Sequence, residues 1–64
     1  MEKMYKDFAR YGTIINSFDY DFPQDRKFVT MKVIQLDGIK ALFILVNGEV
    51  KQAEYLSYED KRVT

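Results

Sequence analysis

Sixty-four residues, with ten basic and ten acidic side chains, make one domain (1–64) with no formal net charge. The chain contains neither cysteine nor histidine, which excludes disulfides, the usual zinc sites, thiol nucleophiles and nearly all catalytic triads. The missing basic excess also argues against a life spent on phosphate backbones, where counterion release supplies affinity.

A chain this short buries only ~60% of the surface its unfolded form exposes. Without disulfides or metal, its support must come from dense apolar packing or self-association. Its apolar content of 47% and aromatic content of 16% provide the material. The first residues, Met1 to Phe8, mix charge with apolar side chains and lack the apolar run of a signal peptide. The longest apolar run, Ala41–Val46, is far too short to span a bilayer. A cytoplasmic location without membrane contact is therefore expected.

Met1, Met4, Tyr5, Phe8 and Tyr11 recur at helical spacing, with Glu2, Lys3, Lys6, Asp7 and Arg10 on the other side. This predicts a helix from about residue 2 to 11, closed by Gly12 as a left-handed cap after a cation in the last turn. An isolated helix of that length is marginal in water, so it must dock. From Thr13 the period changes to two. Phe18, Tyr20 and Phe22 alternate with Ser17, Asp19 and Asp21, the pattern of a half-buried strand. Pro23 ends it, and Pro23-Gln24-Asp25-Arg26 supplies a turn.

Lys27–Leu36, Ile39–Val46 and Glu49–Leu56 are separated by Asp37-Gly38 and Asn47-Gly48. Both dipeptides signal two-residue type I′ hairpins, whose two central residues need positive φ. Counting outward from each turn places Val33 beside Leu42 and Ala53, Met31 beside Ile44 and Lys51, and Val29 beside Val46. That face is expected to be the core. The opposite face carries Ile34 beside Ala41 and Glu54, Lys32 beside Phe43 and Gln52, and Thr30 beside Leu45 and Val50. A slip of one residue would exchange the two faces.

The middle strand is apolar on both sides, as a central strand with both faces covered would be. A ten-residue helix is ~15 Å long and ~10 Å wide, whereas a four-stranded sheet is ~19 Å across with eight-residue strands of ~26 Å. One helix cannot cover even one face, so Phe43, Leu45 and Val50 need further cover. A curled half-barrel, a second copy or a different protein would provide it. At the end, Ser57 followed by Glu59 and Asp60 partly satisfies a helix-capping pattern, with a frayed tail as the other reading.

No phosphate-cradling glycine loop occurs, because Gly12, Gly38 and Gly48 are each accounted for by a cap or turn. Asp19, Asp21 and Asp25 lie close enough to suggest a hard-cation site, but they lack the glycine and closing Glu of a calcium loop and read as a solvated strand face. The acid–aromatic alternation Phe18-Asp19-Tyr20-Asp21-Phe22 offers a negative strip to a basic groove, or simply an edge strand protected by charge. Tyr55 with Lys40 and Lys51 on one face would suit base stacking on a single strand, although that face is the expected core.

Leu45-Val46-Asn47-Gly48 followed by Gln52-Ala53-Glu54-Tyr55-Leu56-Ser57-Tyr58-Glu59 resembles the first motif of the Sm-like RNA-binding proteins. That motif runs from an Asn-Gly turn into a bent strand that ends in an aromatic–acid pair. Ala53 stands in place of the glycine at which that strand bends, and no counterpart of the second motif follows. Any Asn-Gly hairpin shares most of these features, so membership is not inferred.

The expected fold is α+β, a short N-terminal helix packed on a four-stranded antiparallel β-meander, with a small open β-barrel as the alternative. The expected function is non-catalytic, with no cofactor: a protein–protein interaction module that engages another protein or a second copy of itself. It would be a homodimeric accessory protein, or a small regulator or inhibitor of the kind phages and mobile elements direct at a host protein. Its partner-binding residues would be Phe43, Leu45 and Val50, or Asp19, Tyr20 and Asp21 on the edge strand. The alternatives are a small barrel binding single-stranded nucleic acid and an accessory subunit without a stable fold of its own.

Overall fold

A computed structural model describes residues 1–58. Helix α1 spans Glu2–Tyr11, followed by strands β1 (Thr13–Phe22), β2 (Lys27–Leu36), β3 (Ile39–Val46) and β4 (Glu49–Tyr58). A single 3-10 turn, Pro23–Asp25, joins β1 to β2. The four strands form one antiparallel sheet in the order β1-β2-β3-β4. The architecture is the expected helix on a β-meander, and the sheet is open, with β1 and β4 as its two edges. The terminal helix expected after Ser57 lies outside the described residues, since Ser57 itself belongs to β4.

The turns form as their chemistry requires. Asp37 and Gly38 take φ of 53° and 80°, and Asn47 and Gly48 take 51° and 82°, the left-handed pair of a type I′ hairpin. Between β2 and β3 the register is the counted one: Val33 pairs with Leu42, Met31 with Ile44 and Val29 with Val46.

Between β3 and β4 the register departs from the count. Leu45 pairs with Val50, but Ile44 then pairs with Gln52, leaving Lys51 as an extra residue. A second shift leaves Leu56 extra, between Tyr55 opposite Ala41 and Ser57 opposite Lys40. The physical reason lies in the side chains. An unbroken ladder would press Gln52 against Phe43 and Glu54 against Ala41, beneath the helix, where unpaired polar groups are costly. The bulge at Lys51 turns Ala53 to that side and sends Gln52 and Glu54 to the other.

The faces themselves are the reverse of the expectation. The buried core is Phe8, Ile34, Ala41, Phe43, Leu45 and Val50, with Met4, Tyr5, Leu36, Ile39 and Ala53 packed around it. Phe43, Leu45 and Val50, expected to await a partner, instead lie under α1 or beside it. Phe43 is completely buried, and the edges of Tyr5 and Phe8 meet its ring at centroid distances of 5.3 and 5.4 Å. Lys32, on the same face, donates from Nζ to the Tyr5 hydroxyl at 3.2 Å. Small side chains at Ala41 and Ala53 let the helix come close.

Gly12 does not take a left-handed conformation, its φ being −92° and its ψ −177°. Its role is steric. A Cβ there would stand 2.6 Å from the Phe8 carbonyl oxygen, 2.7 Å from that of Gln35 and 2.8 Å from Ile34 Cγ2. With one residue between helix and strand, this close passage over Ile34 holds α1 on the Ile34 side of the sheet.

Candidate interaction face

Residues paired across an antiparallel ladder project to the same side, so the registers define the uncovered face. From β1 it receives Phe18, Tyr20 and Phe22, which pair with Met31, Val29 and Lys27 of β2. Val33 completes the β2 row, and Leu42, Ile44 and Val46 continue it on β3. Nine apolar side chains thus form a three-by-three field across β1, β2 and β3. Phe18, Tyr20 and Phe22 are 53%, 47% and 46% exposed. The six aliphatic and methionine side chains beside them are half-buried by one another.

The field is uncharged. Polar side chains on the same face stand at its margins: Asn16 and Gln35 toward one end, Lys27 at the start of β2, Lys40 at the start of β3, and Glu49, Gln52 and Glu54 on β4. Tyr20, Phe22, Val29 and Met31 line a shallow trough within the field, with Asp25 and Lys27 at its rim. An apolar centre with a polar rim is the anatomy of a protein interface.

The other sequence-level candidates separate. Tyr20 lies on the open face, while Asp19 and Asp21 point to the helix side, opposite Thr30 and Phe28. There Asp19 accepts a hydrogen bond from the Thr30 hydroxyl at 3.1 Å. The aromatic side of β1, expected to be half-buried, is exposed along its whole length. Tyr55 lies on the helix side and Lys40 on the open side, so they cannot form one stacking platform. Lys51 sits at the bulge and pairs with Glu49, whose carboxyl it holds below its ordinary range by hydrogen bonding and by charge. Among the described residues, no three acidic side chains converge on a point where they would hold a metal ion.

One polar residue plays a part that the sequence reading missed. Asn47 uses its side-chain oxygen to accept from the Phe28 amide at 2.9 Å and its amide nitrogen to donate to the Arg26 carbonyl at 3.3 Å. Its own backbone N–H donates to the Phe28 carbonyl at 2.8 Å. The β3–β4 turn is thereby tied to the β1–β2 connection, where Arg26 takes a left-handed φ of 51°. The only hint in the sequence is Asn, in preference to Asp, at that turn.

The spacing of β4 also held a usable signal. Val50, Ala53 and Tyr55 are spaced three and then two positions apart, a break in the alternation that marks a bulge. Placing the bulge would have put Ala53 beside Phe43 and assigned the faces correctly.

Against known proteins, the chain matches no family model, no curated protein and no solved structure. The strand with the Sm-like pattern departs from regular pairing at Lys51 and Leu56, with no glycine at either. Among the described residues, no helix is long and apolar enough to cross a membrane.

Proposed function

We propose that the chain is a non-catalytic interaction module whose open sheet face docks a protein. The observation that carries this reading is the field of Phe18, Tyr20, Phe22, Val29, Met31, Val33, Leu42, Ile44 and Val46, left uncovered because α1 occupies the other side. Contiguous apolar fields of this kind mark interaction surfaces. The role as a regulator or accessory protein belongs to the same proposal, with the site moved from Phe43, Leu45 and Val50 to their neighbours on the opposite face. Tyr20 stays within the site, and Asp19 and Asp21 form a separate acidic strip on the helix side.

The test is capture of partners from a lysate of the source organism, with and without nuclease, by the native chain and by Ile44→Lys. A stoichiometric protein retained by the native chain and lost by the variant supports the reading. A protein retained equally by both moves the site elsewhere. Nucleic acid recovered in place of protein, and released by nuclease, overturns the reading in favour of a single-strand binder.

A further inference from the structure

Resting on that reading, we infer that the occupant of the open face is a second copy of this chain, packed sheet against sheet about a two-fold axis near Met31. Three features of the molecule carry this.

The first is size. Four strands of eight to ten residues present a footprint of ~19 by ~26 Å, about 500 Å² per copy even if the surface were flat. Two copies facing one another therefore remove about 1,000 Å² or more from water, the threshold at which specific interfaces begin. Sheets packed this way interdigitate side chains across ~10 Å, with strand directions within about 30° of one another.

The second is charge. A two-fold axis brings a surface against itself, so any charge near the axis meets its own kind. The centre of this face has no charge, and Lys27, Lys40, Glu49 and Glu54 lie at its margin. The face is self-compatible. The sheet edges are not. Antiparallel pairing of β1 with a second β1 would line up Asp19 and Asp21 from both copies on one side. Pairing through β4 would meet a strand interrupted at Lys51 and Leu56.

The third is the thinness of the single-copy core. Among the described residues, the buried hydrophobic side chains are Phe8, Ile34, Ala41, Phe43, Leu45 and Val50, while nine apolar side chains remain on the open face. A domain this small has little stability to spare, and association is one of the few supports open to it without disulfide or metal. Face packing turns one thin core into three layers: helix, double sheet, helix. It leaves Asp19, Asp21 and the helix-side hollow lined by Tyr5, Ser17, Phe28, Thr30 and Lys32 exposed on both outer surfaces.

Two measurements on the full chain test this. Sedimentation equilibrium from low-micromolar to near-millimolar concentration is expected to show a dimer. Ile44→Lys, which places a charge in each copy's half of the interface, is expected to weaken it at least about a hundredfold. Tyr55→Lys, on the helix side, is expected to leave it unchanged. Because Ile44 is half-buried in the central strand, so that its replacement also bears on folding, the native chain is examined directly: an isotope-filtered NOE experiment on mixed labelled and unlabelled copies. Cross-peaks between copies from Met31 and Ile44 methyls to Phe18 and Tyr20 rings support the inference. A dimer without these cross-peaks, or one indifferent to Ile44→Lys, overturns the placement. A folded monomer at all concentrations overturns the second copy as occupant, and the docking reading then stands or falls on the capture experiment alone.

Discussion

Replacing Phe43 with alanine is the sharpest perturbation of the core. The side chain is completely buried, and truncating a buried Phe costs about 3–5 kcal/mol through lost transfer energy and the cavity left behind. The two edge-to-face contacts with Tyr5 and Phe8, each worth ~0.5–1.5 kcal/mol beyond burial, place the expected loss near the top of that range. At about 0.05–0.15 kcal/mol per residue, a 64-residue domain has only ~3–10 kcal/mol to lose. Phe43→Ala is therefore expected to be unfolded, or nearly so, without denaturant. Phe28→Ala makes the same chemical change at a side chain 45% exposed and is expected to cost about 1–2 kcal/mol. Phe43→Leu, which keeps most of the volume but loses both ring contacts, should fall between them. Urea unfolding followed by far-ultraviolet circular dichroism at one protein concentration reads all three, since m is about 1 kcal/mol per molar for a chain this small. Equal costs for Phe43→Ala and Phe28→Ala would refute the placement of the helix over Phe43.

Four further expectations concern the connections and the Glu49 carboxyl. Gly12→Ala should destabilise by about 1–3 kcal/mol, because two of the atoms its Cβ would meet are backbone oxygens that cannot move aside; a melting temperature equal to the native one would contradict this. Gly48→Ala has open space around it but a φ of +82°, so its cost should be conformational only, about 1 kcal/mol. Asn47→Ala should cost about 1–2 kcal/mol and speed hydrogen exchange at the Phe28 amide, which loses its side-chain acceptor; unchanged exchange there would contradict the tie. Glu49 should titrate below the ordinary glutamate range and move back toward it in Lys51→Met. A depressed folded-state pKa means that this contribution is present above the unfolded value and disappears as pH falls through the folded one. Both groups are exposed, so added salt should shrink the shift; a salt-insensitive titration would point to another cause.

The elements were legible because local chemistry decides them. The 3.6-residue spacing of Met4, Tyr5 and Phe8 gave the helix, and Asp37-Gly38 and Asn47-Gly48 gave two turns and the β2–β3 register. The face was not legible in the same way. Both sides of β2 and β3 are apolar, so counting hydrophobic residues favoured the richer side, Val29, Met31, Val33, Leu42, Ile44 and Val46. What selects the other side is sterics and desolvation. Ala41 and Ala53 are small enough to sit beneath a helix, Gly12 admits a close crossing over Ile34, and the Lys51 bulge rescues Gln52 and Glu54 from burial. These depend on contacts between residues far apart in sequence. Of the residues expected to meet a partner, Tyr20 lies on the open face, whereas Phe43, Leu45 and Val50 are buried in the core and Leu42, Ile44 and Val46 take the open side of β3.

The functional reading depends on which face of the sheet carries the helix, and a NOESY spectrum of the native chain with assigned aromatic and methyl resonances reads this directly. Cross-peaks from the Tyr5 and Phe8 rings to the Phe43 ring, with none to Met31, Val33 or Ile44 within a copy, are the expected result. Cross-peaks from those helix rings to Met31 and Ile44 would place the helix on the face described here as open, and would contradict both the interaction site and the packing derived from it.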